Sequence, residues 1–162
     1  MLSGCVARKL HFEESIALSD TVYQDVSVEF PKPKDAKELI AIGHGKEYQY
    51  WFSDSSVFYI TTELTSNTLN FNQLEYMVRE SEYNEVPYPS MSIMDTIVQS
   101  GHDKHELIWK EVGLFRGQLR YGYLNVRPEN EVEFNQYLCN VESSLKGSPF
   151  SLRTNEKDDR YR

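Results

Sequence analysis

Cysteine is scarce in this chain: Cys5 and Cys139 are the only two in 162 residues. Two thiols make neither a disulfide framework nor a four-thiolate metal site within one chain, which leaves at most a single Cys5–Cys139 bridge. Long apolar runs are missing too, and no window nears the ~20 consecutive apolar residues of a membrane-spanning helix. Familiar catalytic signatures are absent: there is no GxxxxGK[ST] or GxGxxG phosphate loop, no GxSxG nucleophile elbow and no HExxH zinc helix. Positive charge is in short supply, with 17 Lys and Arg against 25 Asp and Glu. The net charge of −8 repels phosphate backbones and favours cationic or neutral partners, so nucleic acid is not an expected partner. Nothing in the sequence calls for a cofactor.

What is present is apolar area. Hydrophobic residues make up 40% of the chain and aromatics 13%, enough to bury a core and too much for a disordered chain. One domain is expected, spanning residues 19–146, with a flexible C-terminal tail over 147–162. "TVYQDVSVEF" sets Val22, Gln24, Val26, Val28 and Phe30 on one side of an extended segment, and Pro31 and Pro33 end that strand. "DAKELIAIG" reads two ways: Asp35 and Glu38 have capping-box spacing, and Leu39 to Ile42 equally suit a buried strand.

"KEYQYWF" alternates Tyr48, Tyr50 and Phe52 against Glu47 and Gln49, and "SVFYITT" is β-branched and aromatic, so Ser53 to Ser56 join them as a hairpin. From Asn70 a helix is predicted, with Phe71, Leu74, Met77 and Val78 on one face. A second hairpin turns at Arg116-Gly117, with Gly113 and Gly122 marking bulges or close backbone approaches. Phe134, Leu138, Val141 and Leu145 then form the stripe of a final helix. The resulting class is α+β: an antiparallel sheet of about five to six strands with two helices packed on one face.

Candidate chemistry is thin. "GHDKH" gathers His102, Asp103 and His105, three possible metal ligands, in a segment that also reads as a polar hairpin loop with Lys104 intruding. His44 lies between two glycines, which is a turn pattern before it is a proton-transfer site. Cys139 is rotated away from the final helix's buried stripe, with no cation near it in sequence to activate a thiolate. Eleven tyrosines and Trp51 and Trp109 either cover the core side of the sheet or present a binding face. Tyr83 and Tyr88, in the proline-containing stretch from Glu80 to Ser90, are the candidate partner-binding residues.

Leu2-Ser3-Gly4-Cys5 resembles the lipobox of bacterial lipoproteins, in which a leucine and two small residues precede the cysteine that is cleaved and acylated. The resemblance covers four residues. It implies lipidation, palmitate included, at Cys5, a signal peptide whose charged and apolar regions lie ahead of Met1, and a flexible tether through residue 18. It also implies a cell-membrane or outer-membrane address with the globular domain extracytoplasmic, in contact with the membrane through the lipid. The function expected is that of a membrane-anchored, non-enzymatic domain binding a protein or envelope component. Two alternatives stand beside it: a small metal-dependent enzyme using His102, Asp103 and His105, and an acidic inhibitor or immunity-type protein binding a basic partner.

Overall fold

Period-two alternation writes the first two strands. β1 (Lys9–Ala17) turns Leu10, Phe12 and Ile16 inward, and β2 (Val22–Pro31) turns Gln24, Val26, Val28 and Phe30 inward. The two pair antiparallel along the whole of β1, from Lys9↔Pro31 to Ala17↔Tyr23. The computed structural model describes residues 9–17, 19–42, 45–62, 96–145 and 153–154. Within these, β3 (Lys37–Ile42), β4 (Lys46–Trp51), β5 (Val57–Thr61), β6 (Ile97–His102), β7 (Ile108–Leu114) and β8 (Leu119–Val126) follow. Pro128–Asn130 then forms a short 3-10 turn leading into helix α1 (Glu131–Ser144), and β9 (Arg153–Thr154) closes the order.

The strands make two antiparallel sheets. One is the ribbon β1-β2-β9; the other has six strands in the order β3-β4-β5-β8-β7-β6. The ambiguous "DAKELIAIG" is therefore a strand, because Leu39 and Ile40 pair with Gln49 and Tyr48 of β4. The ribbon and α1 cover one face of the large sheet. Phe134, Leu138 and Val141 of α1 join Phe12, Val28 and Phe30 of the ribbon and Tyr50, Phe58, Ile60, Tyr121 and Tyr123 of the sheet in one buried cluster. Its rings meet mostly edge to face, as Phe30 does with Tyr50 and Phe58 at 6.0 Å and Phe12 with Tyr48 at 5.2 Å, a geometry worth about 0.5–1.5 kcal/mol per pair beyond burial.

Four expectations are corrected. The cover on the core face is the β1-β2-β9 ribbon beside a single helix among the described residues, and the helix predicted from Asn70 lies outside them. Residues 9–17 are a strand and not tether: Glu13-Glu14-Ser15 interrupts the apolar pattern, yet the backbone stays paired and Ile16 resumes the inward face. In the expected tail, Arg153 and Thr154 pair with Tyr23 and Val22. The bulge in the last hairpin sits at Asn125, φ 57°, and not at a glycine; it shifts the β7 register between Ile108 and Lys110 and lets both Tyr123 and Val126 face the core. Gly117 does adopt positive φ, 78°, and the two residues before it, Phe115 and Arg116, share the left-handed region.

If β1 belongs to the fold, Phe12→Ala will cost about 3–5 kcal/mol, the range for emptying a buried phenylalanine site. Urea unfolding followed by tryptophan fluorescence measures it, and a cost near zero would return residues 9–17 to a tether.

Burial also sets the alkaline limit of stability. Tyr123 is pushed up to about 12 by burial and by the charge of Glu131, and Tyr50, Tyr121 and Tyr137 are raised by burial first, then by Glu38, Glu142 and Glu133 respectively. The folded chain therefore holds these protons more tightly than the unfolded chain, whose tyrosines titrate near 10.0. That contribution is fully present below the unfolded value and is lost as pH rises through the folded ones. A tyrosinate absorbance titration should show these four silent until the chain unfolds, with unfolding free energy falling from about pH 10 upward.

Candidate functional site

The opposite face of the large sheet is where polar side chains gather. β5 is buried on both sides, and such a strand needs cover above and below. Its outer residues Val57, Tyr59 and Thr61 are flanked by Trp51, Gln49 and Glu47 of β4 and by Leu124, Gly122 and Arg120 of β8. One register row crosses all six strands through Leu39, Gln49, Tyr59, Gly122, Glu111 and Gln99.

Two carboxylates are buried on this face, Glu47 at 2% exposure and Glu111 at 4%. Buried charge is costly unless donors satisfy it, and both groups have them. Glu47 accepts from Gln49 Nε2 at one oxygen and from Thr61 Oγ1 at the other, 3.2 Å away, while Gln49 Oε1 accepts from Trp51 Nε1 at 2.7 Å. Tyr59 donates its hydroxyl to Glu111 Oε2. That bond passes directly above Gly122: a Cβ there would lie 2.9 Å from Tyr59 Oη and overlap the Lys110 carbonyl oxygen. The glycine that the sequence marks as a close approach is thus required first by the Lys110 carbonyl and then by the Tyr59 hydroxyl that bonds Glu111. Trp51 and Trp109 close one end of the face with Val57, Tyr59 and Leu124.

The arrangement limits the chemistry. Glu47 and Glu111 stand on strands three places apart, about 14 Å at the usual interstrand spacing, too far to divide acid and base roles at one bond. Among the described residues, no three His, Cys, Asp or Glu side chains converge on a point that would hold a metal. The face is a hydrogen-bonded polar layer that fixes side-chain positions.

The sequence candidates fall elsewhere. Asp103 builds the β6–β7 turn: its Oδ1 accepts from the backbone N–H of His105 at 2.7 Å and of Leu107 at 2.9 Å, and its own N–H donates to the Leu107 carbonyl at 2.9 Å. His102 and His105 are exposed on that turn, and the nearest acidic group to His102 Nδ1, Glu106 Oε2, is 4.0 Å away. Cys139 is exposed on α1. Tyr50, Tyr59, Tyr121 and Tyr123 of the hairpins are buried and line the interior. Cys5, His44, Tyr83 and Tyr88 lie outside the described residues.

Alternation in the sequence set Glu47 and Gln49 on the face opposite Tyr48, Tyr50 and Phe52, which by itself does not say that this face is buried too. The available signal was Trp51, two residues beyond Gln49 and four beyond Glu47 on the same face, opposite a β5 that is buried along its whole length. Comparison of the chain with protein-family models, with curated proteins and with solved structures found no match.

Gly122→Ala is expected to destabilise the fold by about 3 kcal/mol, the upper end for overpacking against backbone. Tyr59→Phe, which removes a donor from a buried carboxylate, should cost about 1.5–3 kcal/mol. Thermal and urea unfolding of both variants measure this, and neutral behaviour in the two together would contradict the bond across Gly122.

Proposed function

We propose that this chain is a membrane-anchored, extracytoplasmic lipoprotein whose α+β domain binds a protein or envelope component without catalysing a reaction. The observation that carries the reading is the sequence Leu2-Ser3-Gly4-Cys5, placed four residues ahead of Lys9, where β1 begins. A span that short reaches at most about 14 Å when fully extended, so a lipid on Cys5 would hold the fold close against the bilayer. Each buried methylene of an acyl chain contributes about 0.8 kcal/mol, and more than one chain gives a stable anchor. Among the described residues no helix is long and apolar enough to cross a membrane, and a lipid supplies attachment without one.

Metabolic labelling with a palmitate analogue, followed by membrane fractionation of protein expressed from its native gene, tests the anchor. Label should enter the wild-type chain and pellet with membranes, and Cys5→Ala should lose both. Membrane association unchanged in Cys5→Ala would sink the reading.

A further inference from the structure

We draw no further inference here: the strongest candidate, the outer face of the large sheet at the β6–β7 pair, where the buried Gln99 carboxamide lies opposite Glu111 with no hydrogen-bond partner among the described residues, carries nothing because none of those residues shows what covers that face.

Discussion

Phe30 stands edge-on to both Tyr50 and Phe58, and that meeting of rings is where the ribbon is joined to the large sheet. A ribbon of two long strands and the two-residue β9 is marginal by itself, and a six-stranded sheet with an open apolar face is no better placed in water. Each supplies the surface the other lacks. α1 completes the cover through Phe134, whose ring lies 5.0 Å from Phe52 and 5.6 Å from Tyr123, and Tyr137 stacks on Phe52. The hydrogen bonds that tie the ribbon down, Lys46 Nζ to the Glu13 carbonyl at 2.6 Å and Gln118 Nε2 to the Ala17 carbonyl at 2.6 Å, pin a β1 already positioned by its apolar side chains.

The two faces of the large sheet are held by different physics. On the ribbon side, apolar area does the work and tolerates exchange of one aliphatic side chain for another of similar volume. On the other side, Glu47 and Glu111 are buried with specific donors, and a buried carboxylate stripped of a donor keeps its desolvation cost with no apolar substitute able to offset it. The first face confers most of the stability, whereas the second is strict about which residue stands where. Gly122 is where the two requirements meet, since it borders the aromatic core through Tyr121 and Tyr123 while leaving room for the Tyr59 hydroxyl.

Much of the strand content was legible, because alternation in "TVYQDVSVEF" and the β-branched run of β5 are direct consequences of a two-sided backbone. The stripe of α1 was legible for the same reason at a period of 3.6. β1 was not, since three polar residues in a row mask an alternation that the partner strand restores. The division into two sheets was not legible either, as no local signal says that β2 leaves off pairing and lets β3 begin a different sheet. At the polar face, Glu47 and Gln49 acquire their surroundings only from β5 and β8, and within β4 itself only Trp51, on the same face, carries a trace of that burial. His102, Asp103 and His105 were visible as a group because they are adjacent. Adjacency marked a turn, with Asp103 holding the backbone N–H groups that a metal would have had to compete with.

The order β3-β4-β5-β8-β7-β6 has a further meaning for how the chain reaches this state. β3, β4 and β5 form one run of neighbouring antiparallel strands, and β6, β7 and β8 form another; among the described strands only the β5–β8 ladder joins them. Each half needs only short loops to form, whereas the ladder that joins them pairs Val57 with Leu124 and closes a long stretch of chain. Tyr59 and Gly122 lie on that seam, and Glu111 directly beside it. Within the large sheet the seam is therefore the ladder with the greatest loop-closure cost, and the polar bond across it depends on strands from both halves being in register.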